Sequence, residues 1–419
     1  MPTTEIFPGA PVASPGRPGE ASSDVHLDRE GTGQLSVHVS ESISAIELIR
    51  PPWSKWTTGL NTDFDYYLHG LKSDSTVLRP YVITVCEAGE PQAALVGLVR
   101  ETRISTIVSS LRIRGPRARV LEIVAGGRIG TKSSAIDQLF VQQLTSALRG
   151  TDVDLLCAHR LSLDSELFRR LQQMSGLFRR ARVPHVFHYS VVPLMNSSVQ
   201  RERVFSGKNR REIRRKTRGL QQAFPDQSRF QCFSEFRDLE AALRDANSVD
   251  LTTWQHSLGN WALDELATRE LLRFCAGRRW LRIYLMYISD LPVAFLIGQR
   301  YGRTFYCQHA GYRPEFARYS VGSLLTAWAL QSLTAEGVEK VDLGEGGQEH
   351  NRRLGCEEHA EGTVHLYAPT LRGLRANLFF ASAQFVRTTG RKAINTLRRK
   401  RPSRAQSQDP VRGGDLEVA

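Results

Sequence analysis

Pro91-Gln-Ala-Ala-Leu-Val-Gly97 and Pro292-Val-Ala-Phe-Leu-Ile-Gly298 occur in one chain, and reading the first against the second decides the fold. Pro91, Ala93, Leu95, Val96 and Gly97 match Pro292, Ala294, Leu296, Ile297 and Gly298 at a constant offset. Each stretch follows an apolar run and a turn: Tyr81–Cys86 then Glu87–Pro91, and Leu281–Ile288 then Ser289–Pro292. Gly and Pro in the first turn, and Asp and Pro in the second, are hairpin punctuation, so strands are expected over Ala93–Val99 and Val293–Ile297. Farther on, each half has an amphipathic helix and a short strand. These are Ala135–Leu148 with Val153-Asp-Leu155, and Ser323–Leu333 with Val341-Asp-Leu343. Two hairpins can be alike by chance; the repeated order of hairpin, helix and V-D-L strand favours duplication. Strands alternating with helices in both halves predict a mixed α/β architecture of two lobes, each a twisted sheet covered by helices.

The 419 residues exceed one ordinary core and fit two lobes with tails. The expected divisions are a disordered tail over 1–36, a first lobe over 37–198, a second over 199–368, a basic amphipathic helical segment over 369–399, and a disordered tail over 400–419. The first tail is rich in Pro, Gly, Ser and Thr, and neither tail has enough apolar surface to offset its ordering entropy. No apolar run approaches the roughly 20 residues of a membrane span, and no secretory signal opens the chain. Six scattered cysteines without a CxxC pair suggest reduced thiols, not a disulfide framework or a metal site. The expected location is the cytoplasm, with the inner face of the membrane as a second possibility.

The formal net charge is +13, and the excess is concentrated. Arg201–Gly219 holds nine basic residues and two acids. Ser206–Ala223 reads as a helix with Ser206 as N-cap; Ile213, Leu220 and Phe224 form a thin apolar stripe, and Arg210, Arg211, Arg214, Arg215 and Arg218 form basic ridges. A solvated face and the wall of a substrate groove are both open readings. Beyond Pro369, Leu371, Leu374, Leu378, Ala381 and Phe385 recur at helical spacing among Arg372, Arg375, Arg387, Arg391 and Lys392. This is a helix that either packs on the lobes or rests on an anionic membrane. Such charge suits a polyanionic partner, and charge alone does not choose among CoA phosphates, RNA, acidic polysaccharide and anionic lipid.

Three stretches of the second half carry a family resemblance: Ser206-Gly-Lys-Asn-Arg210-Arg-Glu-Ile-Arg-Arg, Asp290-Leu-Pro292-Val-Ala294, and Tyr319-Ser-Val-Gly322-Ser-Leu-Leu with Val341-Asp-Leu-Gly344-Glu-Gly346. In this order they resemble the acetyltransferase domain of CelD-like polysaccharide-biosynthesis acyltransferases, a GNAT branch related to the Fem peptidyltransferases. The resemblance runs from about Trp53 to Leu366, and Trp53…Asn61-Thr-Asp-Phe64 resembles the aromatic helix that opens such families. It implies tandem GNAT-like lobes, acetyl-CoA or another acyl-CoA as co-substrate, no metal, and a sugar, polysaccharide or cell-envelope precursor as acceptor. Where the family has Gln or Arg and two spaced glycines around the CoA pyrophosphate, this chain has Arg318, Tyr319, Ser320, Val321, Gly322 and Ser323, with one glycine. Where related sequences have Gly-Asp-x-x-Tyr-Lys, it has Gly347, His350 and Asn351 for the Asp, Tyr and Lys, with Arg352 or Arg353 as substitute cations.

The residues give the same region chemical content without the family. A strand (Thr304–Ala310), a loop with Gly311, Pro314 and Gly322, and then a helix present free N–H groups and a dipole that favour an anion, although a helix merely capped by Ser320 explains the pattern too. Direct acyl transfer needs a group that takes a proton from the attacking amine or hydroxyl; Glu345, His309 and His350 have suitable side chains, and Asp342 is a candidate to orient the acceptor or to cap a turn. No nucleophile elbow or Ser-His-Asp pattern points to a covalent acyl-enzyme. Arg210, Arg211, Arg214, Trp254, His350 and Arg352 are the candidate acceptor contacts. Trp254, Trp261 and His256 sit in a polar, Gly-containing segment suited to stacking on a sugar or base, or to core packing. Two other functions remain open: an aminoacyl-tRNA-dependent transferase of the Fem type, for which tRNA is the partner, and a non-catalytic scaffold binding polyanions. No DNA partner is expected.

Overall fold

The computed structural model describes residues 35–108, 111–174, 182–194, 207–253, 256, 263, 265–345 and 356–400. Twelve strands among the described residues form one mixed sheet. In chain order they are β1 (Leu35–Ser40), β2 (Val77–Glu87), β3 (Glu90–Val108), β4 (Leu111–Gly130), β5 (Leu155–Ser162), β6 (Arg182–Pro193), β7 (Ser228–Phe233), β8 (Leu281–Ile288), β9 (Leu291–Tyr301), β10 (Thr304–Tyr312), β11 (Lys340–Glu345) and β12 (Glu357–Tyr367). Across the sheet the order is β1-β2-β3-β4-β5-β12-β6-β11-β10-β9-β8-β7.

The two hairpins that matched in sequence match in register. Gly97 pairs with Ile123, and Gly298 with Cys307. A Cβ on Gly97 would lie 2.7 Å from the Glu122 carbonyl oxygen, and one on Gly298 closer still to that of Tyr306. The matching glycines thus allow the same close backbone approach, and in both halves the pairing shifts register just beyond it. Each half then pairs its fourth strand in parallel with the strand after the next helix, β4 with β5 and β10 with β11. Glu122 stands beside Cys157, and Tyr306 beside Asp342. The V-D-L echo is therefore three residues out of register. Val153 and Asp154 precede β5, where buried Asp154 accepts the Arg119 N–H at 2.9 Å, whereas Val341-Asp-Leu343 lies within β11.

The halves exchange their last strands. A division at 198/199 assigns β6 to the first unit and β12 to the second, yet β6 pairs with β11 and β12 pairs with β5. β6 and β12 pair with each other, so the ladder runs unbroken through the centre.

Alternation along the strands separates two faces. The back carries α4 (Ser134–Arg149), α5 (Glu166–Gln173), α6 (Gly207–Ala223) and α9 (Val321–Ala335), buried on Phe140, Leu144, Leu171, Leu220, Leu325 and Leu333. The front carries α1 (Ile43–Leu48), α2 (Arg50–Trp56), α3 (Phe64–Ser73), α7 (Leu239–Asp250) and α8 (Leu266–Gly277). First-half residues extend over second-half strands here: Leu60 and Tyr66 share a core with α7, α8, β8 and β9. Asp63 accepts the Tyr301 hydroxyl at 2.9 Å, and Asp65 meets Arg278 at 2.7 Å.

The last helix, α10 (Leu371–Lys400), crosses the front of the long β3–β4 hairpin and β12. The side that packs is not the leucine stripe. Ala376 is fully buried, Phe379 and Phe380 join it against Ile104, Ala118 and Tyr367, and Gly373 presses on the Ala368 backbone. Leu371, Leu374, Leu378 and Phe385 are exposed. Small residues let the helix sit close to the sheet, so the helix packs on the lobes, through a side other than the leucine stripe.

Candidate active site

The β10–β11 pair opens like a wedge. Parallel pairing covers Thr304–Tyr306 against Lys340–Asp342 and then stops. β10 continues along β9 to Tyr312, while β11 continues along β6 to Glu345. Parting leaves backbone groups of both strands turned to the gap between them, as at a strand edge.

On the β10 wall the bulge between Cys307 and His309 inserts Gln308. The extra residue brings Tyr306, Gln308 and His309 to the front together. Gln308 is held by hydrogen bonds to Gln299 and Tyr66, and Tyr306 lies beneath the first-half loop at Gly59 and Leu60. Burial raises the phenol pKa of Tyr66 and of Tyr306.

His309 Nε2 lies 2.7 Å from Oδ1 of Asp250, a carboxylate with no exposed surface at the end of α7. The other oxygen lies 3.3 Å from His256 Nδ1. A buried carboxylate accepting Nε2–H sets the imidazole tautomer, making Nδ1 the basic nitrogen of a neutral ring. Asp250 is itself held in place. Arg313 at the end of β10 donates to the carbonyls of Pro292 (2.8 Å) and Ser248 (3.2 Å), tying α7 to the hairpin. Thr253 donates to the Asp250 carbonyl at 2.7 Å, and its methyl occupies the space a side chain at Gly311 would need.

Asp342 is the last paired residue of the β11 wall. Its Oδ1 accepts the Gly344 N–H at 2.8 Å, a local turn that uses the positive φ of Gly344. Burial pushes its pKa above the ordinary carboxylate value; Arg160, the Gly344 N–H and His359 oppose that shift. Arg160 lies 3.9 Å from Asp342 and 2.8 Å from Glu361, with its guanidinium 4.9 Å from the Tyr189 ring. Tyr189 stacks on His359, and its phenol is pushed up to about 12, first by burial and then by Glu361 and Asp342. β5, β6, β11 and β12 each contribute to this cluster, and only the strand exchange makes them neighbours.

The candidate anion site lies behind the wedge. Pro314–Tyr319 forms a 3-10 turn, Ser320 takes a left-handed conformation (φ 58°), and α9 starts at Val321. Ser320 makes no side-chain cap, which removes the reading of Ser320 as a plain structural cap. The first intrahelical bond is Leu324 N–H to the Ser320 carbonyl, so the N–H groups of Val321, Gly322 and Ser323 precede it. Val321 is buried in the core, Arg318 is exposed over the Tyr319 ring, and Gly322 gives room to the Tyr312 ring, 3.0 Å from its absent Cβ. The N–H groups that precede the first intrahelical bond, together with the αL entry, make this terminus chemically suited to an anion.

His309 and Asp342 thus flank one opening, with Arg318–Ser323 behind it. Arg210, Arg211 and Arg214, near the start of α6, stand away from it. Phe224, at the end of their helix, meets Phe316 and Tyr319, and the arginines are roughly 15–20 Å from it along the axis. Glu345 pairs with Tyr189 through its backbone. Trp254, His350 and Arg352 lie outside the described residues. Asp250, Arg160, Tyr189 and Glu361 escaped sequence reading. Asp250 ends an ordinary amphipathic helix, and only its closeness to His256 in sequence hinted at a polar site.

Residues 207–352 match the family model described as "Acetyltransferase (GNAT) domain". No curated protein matches the chain. Among solved structures, a tandem GNAT protein from the clavulanic acid biosynthesis pathway is 11% identical, covering 80% of this chain and 99% of its own, with TM-score 0.47. FemX is 9% identical over 68% of this chain and 87% of its own, with TM-score 0.46. The C-terminal domain of a putative lysylphosphatidylglycerol synthetase from Agrobacterium fabrum is 13% identical over 72% and 88%, with TM-score 0.45.

Proposed function

We propose that this chain is a GNAT-type acyltransferase whose second half transfers an acyl group directly from a thioester to an amine or hydroxyl. The observation that carries the reading is the His309–Asp250 pair on the wall of the β10–β11 wedge. His309 Nδ1 takes the acceptor proton as the acceptor oxygen or nitrogen bonds to the acyl carbon; the carbon–sulfur bond breaks, and the leaving thiolate takes that proton back from the imidazolium, directly or through water. Asp250 stabilises the imidazolium that forms. Asp342, with Arg160 beside it, orients the acceptor on the opposite wall. The first turn of α9 with Arg318 holds the diphosphate of an acyl-CoA, through N–H groups that need no side chain.

The acceptor we propose is a sugar or cell-envelope precursor of the kind handled by CelD-like acyltransferases, in the cytoplasm. Titration of the protein with acetyl-CoA, followed by turnover against a panel of such acceptors, tests this. Donor binding that survives in His309→Ala while turnover falls at least about a hundredfold supports it. Donor binding unaffected by Gly322→Glu, or full turnover in His309→Ala, would sink it. If charged tRNA binds in place of acetyl-CoA, with a salt slope specific to the aminoacylated form, the donor is aminoacyl-tRNA. If cells tolerate His309→Ala but not Arg210→Glu, polyanion binding is the activity.

A further inference from the structure

We propose that α10 is a peripheral membrane anchor that lays its outer face in the interface of an anionic bilayer. This helix already has a packed side, formed by Gly373, Ala376, Phe379, Phe380 and Ala383. On the opposite side a second apolar stripe meets water: Leu371 is 77% exposed, Leu374 46%, Leu378 67% and Phe385 70%, with Val386 beside them at 53%. At 100° per residue the four stripe residues fall within about 60° of one another, so they form one line and not a scatter. Five large apolar side chains on one helix face exceed the isolated exposure usual on a protein surface.

The surroundings select the occupant. Arg372 and Arg375 are exposed on the same helix, and Arg103, Arg114 and Arg117 are exposed on the hairpin beneath it. Beyond the stripe, residues 387–404 hold eight Lys and Arg and no Asp or Glu. Apolar side chains edged by cations match the acyl boundary and the headgroups of an anionic membrane together. An RNA or acidic polysaccharide would use the cations and leave the leucines in water. A second copy of the chain would bring two strongly basic segments face to face. No helix among the described residues is long and apolar enough to cross a membrane, so the contact is one of lying on the surface.

Co-sedimentation of the full chain with vesicles tests the anchor. We expect binding to vesicles of equal parts phosphatidylglycerol and phosphatidylcholine, at least about tenfold stronger than to phosphatidylcholine alone. Leu374→Glu with Leu378→Glu should weaken it about tenfold or more and leave the thermal midpoint unchanged, because both side chains are exposed. Amides of 371–386 should gain protection from hydrogen exchange when anionic vesicles are added. No binding by the wild type, equal binding by the double variant, or no gain in protection overturns the proposal. So does a wild-type dimer that the double variant converts to monomer, which would assign the stripe to a second copy.

Discussion

The two wedges of this molecule share a frame and differ in what lines it. In the first half the strand beyond Ile123 makes a long excursion, Val124–Gly127, before pairing resumes with Arg128 opposite Leu95. In the second half one residue, Gln308, separates Cys307 from His309. Where the second half sets His309 opposite Ile297, the first sets Gly127 against the Val96 carbonyl, with no side chain at all. Where the second has Asp342, the first has Cys157. Three residues join β4 to α4, and eight join β10 to α9. Duplication preserved the backbone device and changed its lining: the first wedge carries Glu122, paired with Arg100, beside Cys157 and His159, and the second carries Tyr306, Asp342 and the His309–Asp250 pair.

The largest effect expected from breaking this asymmetry is on turnover. His309→Ala should lower kcat by about 10²–10⁴-fold, the usual worth of a positioned general base. Asp250→Asn should follow it with a displaced pH profile, since the tautomer is no longer imposed. Substitutions at Gly127 should not touch turnover beyond their effect on folding.

Stability comes next, and here the halves should behave alike. Gly298→Ala and Gly97→Ala should each cost ~1–3 kcal/mol in chemical denaturation, because each drives a methyl into a carbonyl oxygen. Gly298 should suffer more, its Cβ being 2.5 Å from the Phe305 ring as well. Alanine tolerated without loss of stability at either site would remove the shared frame.

Gly322→Glu, which adds a carboxylate at the first turn of α9, should weaken acetyl-CoA binding about tenfold in calorimetry. Ser134→Glu at the first turn of α4 should leave it unchanged.

The smallest expected effect is on the pH dependence of stability. Burial raises the Asp342 pKa, so the folded state holds its proton more tightly than the unfolded chain does. Its contribution is present in full below the ordinary value of 3.8 and is lost as pH rises through the folded pKa. Asp342→Asn should flatten the stability curve just above that value, whereas Cys157→Ala should not change its slope. A steeper curve in Asp342→Asn would mean that Arg160 outweighs burial.

The hairpin of Pro292–Gly298 was legible because strand alternation and turn residues are local, and His309 could be singled out for the chemistry of its side chain. Its partner could not. Asp250 and His309 are 59 positions apart, and nothing local in Leu239–Asp250 separates a histidine-bound carboxylate from a helix terminus. The Arg160 cluster was less visible still. Leu371, Leu374, Leu378 and Phe385 gave the helix but not the side on which it packs, since periodicity reports amphipathicity without saying what each face meets.

By itself the sequence determined two similar α/β units, the strands and turns of each, and the strongly basic character of the chain, because propensity, punctuation and charge act within a few residues. Tertiary structure alone decided that β6 and β12 change places, that a buried carboxylate meets His309, and that the apolar stripe of α10 faces outward. Those outcomes depend on which surfaces compete for burial once the sheet has formed, and that competition runs between residues far apart in the chain.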